Sequence, residues 1–179
     1  MIGRLTGVQP LLGEKVTKQA VLHSIGSASL VHFAAHGNAD RGEIALSPVC
    51  AAHQVPQDED YLLTMSDISQ AQLQAKLVVL SCCYSAQGQI RAEGVVGIAR
   101  AFLGAGARSV LVALWALPDR ATEQLMNRFY EHLSNGESAS ESLHEAMKWM
   151  RSNGYPEVRD WAPFVLIGDN VTFDFGKIK

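Results

Sequence analysis

Cysteine is scarce: the chain holds three, and two of them are adjacent. Such a set cannot build a disulfide framework, so we expect reduced thiols and a cytosolic setting. Charge of one sign is also missing. Fifteen basic residues against 18 acidic ones leave a net charge of −3. No segment is strongly basic, which removes the electrostatic footprint of nucleic-acid binding. The uncharged apolar runs stop at strand length, far below the roughly 20 residues of a membrane helix. The first residues carry no apolar signal region. Internal repeats and low-complexity tracts are absent. We therefore expect neither a nucleic acid nor a membrane as partner.

What remains is an ordinary globular composition, 47% apolar and 18% charged over 179 residues. That length fits one domain, residues 1–179, with a sizeable core. A strand-like run begins within ten residues of Met1, which reads as a domain excised from a longer protein. A natural full-length transcript of this size would refute that expectation.

The organising stretch runs from Leu77 to Gly88. Leu77-Val78-Val79-Leu80 is apolar and uncharged, as in a strand covered on both faces. It breaks into Ser81-Cys82-Cys83-Tyr84 and small residues, placing a thiol at the carboxyl edge of a sheet, where open α/β sheets put their chemistry. A second buried strand, Leu30 to His36, ends at His36-Gly37. Side by side, these strands would bring His36 and Cys83 together.

The rest reads as support. Gly7 to Gly13 suggests an edge strand around Pro10. Thr17 caps a short helix through Ser24. Glu43 to Ser47 alternates like a strand and can pair with Tyr61-Leu62-Leu63. Between them lies an irregular segment with Cys50, His53 and the acidic trio Asp58-Glu59-Asp60. That trio is either a solvated loop or a patch for a basic partner. Ser66 caps a helical turn. Glu93 to Leu103 is a helix, Arg108 to Trp115 a buried strand, and Leu125 to Leu133 an amphipathic core stripe whose helix Asp119 or Thr122 caps. Asn135-Gly136 stops that helix, Ser138 or Ser140 caps the next, and Trp161 to Ile167 is a last strand. This alternation predicts an α/β fold with a mostly parallel sheet between two helical layers.

An imidazole can activate a thiol, and backbone N–H groups in a Gly-flanked loop can hold the oxyanion that forms on attack. His36 precedes Cys83 by roughly the fifty residues found in caspase-type proteases. Cys82 alternates to the other face and reads as core packing. His32 would share a face with His36 and reads as a satisfied structural histidine. Cys50 and His53 are too few for a metal site, and Gly94-Val95-Val96-Gly97 lacks the spacing of a phosphate loop. We expect no metal and no cofactor. Asp119, beyond the Trp115 strand, is a helix cap or a substrate contact; Asp67 could also reach the cleft. A hydrolase of the amidotransferase-like type remains open but places its nucleophile before its histidine, the reverse of the order here.

His32-Phe33-Ala34-Ala35-His36-Gly37, Val79-Leu80-Ser81-Cys82-Cys83, Gly94 to Ala107, Leu114-Trp115 and Trp161-Ala162-Pro163-Phe164 together resemble the CHAT family. These caspase-like modules usually accompany tetratricopeptide repeats. The resemblance implies a three-layer α/β/α caspase-haemoglobinase fold and kinship with separase. It implies His36 as general base, Cys83 as nucleophile, and the N–H groups of Gly37 and Cys83 as the oxyanion hole. A protein or peptide would be the substrate or partner. Family members commonly carry an acidic residue after the nucleophile, where this chain has Tyr84, which places Tyr84 among the substrate-facing positions. The family's opening strand and helix have no counterpart ahead of Gly7, so an edge of the sheet is expected to lie outside this segment. A non-catalytic interaction domain is the alternative function.

Overall fold

Four uncharged apolar stretches lie next to one another as the central sheet of the computed structural model, which describes residues 2–38, 41–49, 55–82 and 92–176. In chain order the elements are α1 (Ile2–Thr6), a 3₁₀ turn (Gly13–Lys15), α2 (Lys18–Ile25), β1 (Leu30–Phe33), β2 (His36–Asn38), β3 (Glu43–Ala45), α3 (Asp58–Tyr61), β4 (Leu62–Leu63) and α4 (Met65–Gln70). There follow β5 (Leu77–Leu80), α5 (Ala92–Gly104), β6 (Ser109–Ala113), α6 (Asp119–Ser134), α7 (Ala139–Ser152), α8 (Val158–Trp161) and β7 (Phe164–Gly168). The central sheet has the order β1-β5-β6-β7. The first three strands run parallel and β7 runs antiparallel to β6. The short strands β2, β3 and β4 form a separate antiparallel sheet.

Strand alternation divides the core in two. Val31, Phe33, Val78, Leu80, Val110 and Val112 face a layer that includes α2, α4 and α5. Leu77, Val79 and Leu111 face α6 and α7. Every residue of β5 and β6 is buried, as expected of inner strands covered on both sides. This is the expected α/β architecture, with a mostly parallel sheet between helices. The stripe Leu125, Met126, Phe129, Tyr130 and Leu133 is buried as its three- and four-residue spacing requires.

Several local expectations are corrected. No strand forms between Gly7 and Gly13: Val8, Leu11 and Leu12 stay exposed, Pro10 offers no donor, and a 3₁₀ turn follows. The first inner strand stops at Phe33, not His36. The acidic trio is not loop; it belongs to the capped turn α3, where Gln57 N–H donates to the Asp60 carboxylate at 2.9 Å. Thr64, not Ser66, caps α4. Pro118 occupies the N-cap of α6 without a side-chain bond, so neither Asp119 nor Thr122 caps it. Residues 161–163 precede β7, because α8 extends through Trp161. Ser138 caps α7 in a reciprocal pair with Glu141.

Gly106 shows why the helix-ending run Gly104-Ala105-Gly106 tolerates no larger residue at its third position. Its φ is +115°, and a Cβ there would lie 2.5 Å from the Leu73 carbonyl oxygen. That close approach accompanies the bond from Leu73 N–H to the Ala105 carbonyl at 2.8 Å, which ties α5 to the chain entering β5.

Candidate active site

β1 and β5 are neighbours in parallel register, with Leu30 opposite Leu77 and Phe33 opposite Leu80. The two strands therefore end level with each other. Ser81 N–H donates to the Phe33 carbonyl at 2.9 Å and closes the ladder. His36 lies three residues beyond the end of β1. Cys83 lies three residues beyond the end of β5. Cys83 and Tyr84 fall outside the described residues, as do Cys50 and His53.

His36 leaves the central sheet altogether. After Ala34-Ala35 the chain turns into β2, where His36 pairs with Ala45 and Gly37 with Ile44. Ile44 and Leu63 are buried in the α2–α5 side of the core. Burying them pulls residues 36–38 into an antiparallel ladder that the apolar run Leu30 to Ala35 alone did not disclose. The His36 side chain is exposed and Gly37 is half-buried. The break at Ala34-Ala35 also removes the strand alternation from which His32 and His36 would share a face.

His32 is the structural histidine expected. Its Nδ1 lies 2.9 Å from the Tyr130 hydroxyl, and the two rings meet edge-on with centroids 5.6 Å apart. Burial pushes the imidazole down from 6.5 to about 4, so it is neutral at pH 7. Burial also pushes the Tyr130 phenol far up, which keeps its proton in place as a donor. Tyr130 is fully buried and 98 positions away from His32 in sequence, so no local pattern announces the pair.

Cys82 is buried among the residues facing α2 and α5, with Sγ 3.9 Å from the Phe33 carbonyl oxygen. It packs as a small core residue, as alternation predicts. Beside it, at the carboxyl edge of β5 and β6, Ser81, Trp115, Leu117, Thr122 and Phe164 line a recess of about 10 Å³. That is room for about one water molecule. Trp115 is held there by its indole N–H, which donates to the Arg159 carbonyl at 2.8 Å.

The two acidic residues considered near the cleft differ. Asp119 is exposed in the first turn of α6, where a carboxylate suits the helix dipole. Asp67 is occupied structurally. Its carboxylate accepts from Thr64 N–H at 2.8 Å and Thr64 Oγ1 at 2.7 Å, and it pairs with Lys18 Nζ at 2.8 Å. Partial desolvation raises its pKa, but the bonds from Lys18 and Thr64 together outweigh it, and the net direction is down. Among the described residues no group of three His, Cys, Asp or Glu side chains could hold a metal ion. No described helix is long and apolar enough to cross a membrane.

The CHAT domain profile matches residues 1–169. Tetratricopeptide repeat protein 28 of Mus musculus is 36% identical over 203 aligned positions, and that of Homo sapiens is 33% identical over the same span. Each alignment covers 96% of this chain but only 8% of the relative. The chain thus spans a small part of the length of the proteins it matches. With the family motifs matched along nearly its whole length, this chain belongs to the CHAT domain family.

Proposed function

We propose that this CHAT domain is a caspase-like cysteine endopeptidase in which His36 takes the proton of Cys83. The single observation that supports the reading is the level, parallel ending of β1 and β5, with Ser81 N–H bonded to the Phe33 carbonyl. Equal distances along the chain then separate each strand end from its reactive side chain. In this mechanism the Cys83 thiolate attacks the peptide carbonyl carbon. The oxyanion is held by the N–H groups of Gly37 and Cys83, and protonated His36 returns its proton to the leaving amine. Water then hydrolyses the acyl-enzyme. No cofactor enters. Tyr84 and Asp119 are the substrate-facing positions; the occupied carboxylate of Asp67 argues for a structural role there.

The setting we propose is the cytosol, with the domain regulated by tetratricopeptide repeats in the same polypeptide and acting on proteins or peptides. We also take residues 1–179 as one domain whose sheet is completed by a strand outside them. In support, β1 is the outermost strand and pairs only with β5 among the described residues.

The non-catalytic interaction domain is the second reading. The recess beside Ser81, Trp115 and Phe164 favours it, since its volume of about 10 Å³ admits no side chain.

Thiol labelling separates the two. The endopeptidase reading expects an electrophile at neutral pH to label the protein at Cys83, with Cys83→Ala abolishing labelling and Cys82→Ala leaving it. His36→Ala should slow it strongly, because the thiol then returns towards its ordinary pKa of about 8.5. Labelling that ignores His36 and is equal in both cysteine variants establishes the interaction domain instead.

A further inference from the structure

The same tripeptide ends both long helices of the α6–α7 pair: Ser134-Asn135-Gly136 after α6 and Ser152-Asn153-Gly154 after α7. Asparagine followed by glycine is the pairing most prone to cyclise, because glycine puts no side chain in the way of its own nitrogen. Both asparagines are exposed, and both glycines have positive φ, +91° and +95°. Local sequence and solvent access therefore do not distinguish the two sites. The attacking atom does.

Gly136 N–H donates to the Leu133 carbonyl at 3.1 Å, and Glu137 N–H donates to the His132 carbonyl at 3.3 Å. The nitrogen that would have to attack is thus held by its own bond. At the second site, Asn153 N–H and Tyr155 N–H both bond the Met150 carbonyl, at 3.1 and 3.2 Å. Gly154 N–H between them has no hydrogen-bond partner among the described residues, while the space around a Cβ is open at both glycines. The Asn153 side chain makes one contact, its Nδ2 donating to the Trp149 carbonyl at 2.8 Å.

We propose that Asn153 is a site of spontaneous deamidation and that Asn135 is protected from it. Gly154 N gives its proton to a solvent base and its electron pair attacks Asn153 Cγ. The Cγ–Nδ2 bond breaks and the nitrogen leaves as ammonia. The resulting succinimide is opened by one water molecule, at either carbonyl, to aspartate or isoaspartate. No oxidant or reductant is involved. The product carries a carboxylate where an amide donor had met the Trp149 carbonyl. It therefore loses that bond and sets a negative charge at the C-terminal end of α7, where the helix dipole disfavours it. This loosens the turn leading through Tyr155 to α8, whose Arg159 carbonyl anchors Trp115.

The test is ageing of the purified chain at mildly alkaline pH, followed by tryptic peptide mass mapping. Asn153 falls in the peptide Ser152–Arg159 and Asn135 in Phe129–Lys148, so each is read separately. In the folded protein the one-dalton gain, with an isoaspartate doublet, should accumulate about tenfold faster in Ser152–Arg159, since Gly136 must first open its bond. In urea the two rates should converge, because the Ser-Asn-Gly context is shared. Equal rates in the folded state, a faster Asn135, or the same disparity in urea would each overturn the proposal.

Discussion

Lowering the pH from 7 towards 4 should destabilise this domain through one side chain, His32. In the fold its ring is packed edge-on to Tyr130, its Nδ1 accepts from the phenol, and burial holds its titration near 4. In the unfolded chain the ring titrates near 6.5. Between those values the unfolded chain binds a proton that the folded one refuses. Stability from this group is therefore complete above about pH 6.5 and is lost as the pH falls towards 4. The full displacement corresponds to about 3 kcal/mol, of which somewhat under half is gone at pH 5.5 and most at pH 4.5. Carboxylates with ordinary pKa values also begin to take up protons as the pH approaches 4, so the measurement is a difference. Urea melts of wild type and His32→Leu at pH 7.0, 5.5 and 4.5 should show a stability gap that shifts in favour of the variant by those amounts. A gap independent of pH, or an imidazole resonance of His32 that titrates near 6.5 in the folded protein, refutes the reasoning.

Removing only the hydroxyl, Tyr130→Phe, leaves the buried Nδ1 without its donor and should cost about 1–3 kcal/mol in urea at pH 7 with the fold retained by circular dichroism. Asp67→Asn weakens the reciprocal cap with Thr64 and the Lys18 pair, so a loss of about 1 kcal/mol is expected in the same melts, with the cleft reactivity of Cys83 unchanged. Gly106→Ala should lower the thermal midpoint through a loss of at least about 1 kcal/mol, because φ is +115° and the added methyl meets the Leu73 carbonyl at 2.5 Å. Phe129→Ala empties a fully buried ring position between α6 and its neighbours and should cost about 3–5 kcal/mol, read by denaturant midpoint.

Much of this architecture was written in local pattern. Leu77-Val78-Val79-Leu80 had to be an inner strand, because four consecutive apolar residues can be buried only where both faces are covered. The α6 stripe repeats at helical spacing, so its buried face could be named in advance. The cap of α7 was legible only as a choice between Ser138 and Ser140, and the reciprocal bonds with Glu141 settle it on Ser138. The errors cluster where a distant partner decides. Thr17 and Thr64 both cap helices through side-chain oxygens, yet Ser66 is as good a capping residue type as Thr64. Lys18, held against Asp67 from 49 positions away, favours the observed start.

The sequence by itself determined the layers: periodicity is a property of neighbours along the chain, and it assigns each strand and helix a buried face before any contact is known. It also determined the family, because ordered motifs persist in a linear string. Only the tertiary structure decided that the chain leaves the sheet at Ala34-Ala35 and carries His36 into a second ladder with Ala45. It alone decided that His32 answers to Tyr130 and that one Ser-Asn-Gly nitrogen is bonded while its twin has no partner among the described residues. Those outcomes depend on which groups meet across long loops, and burial of residues such as Ile44 and Leu63 in a shared core sets that choice.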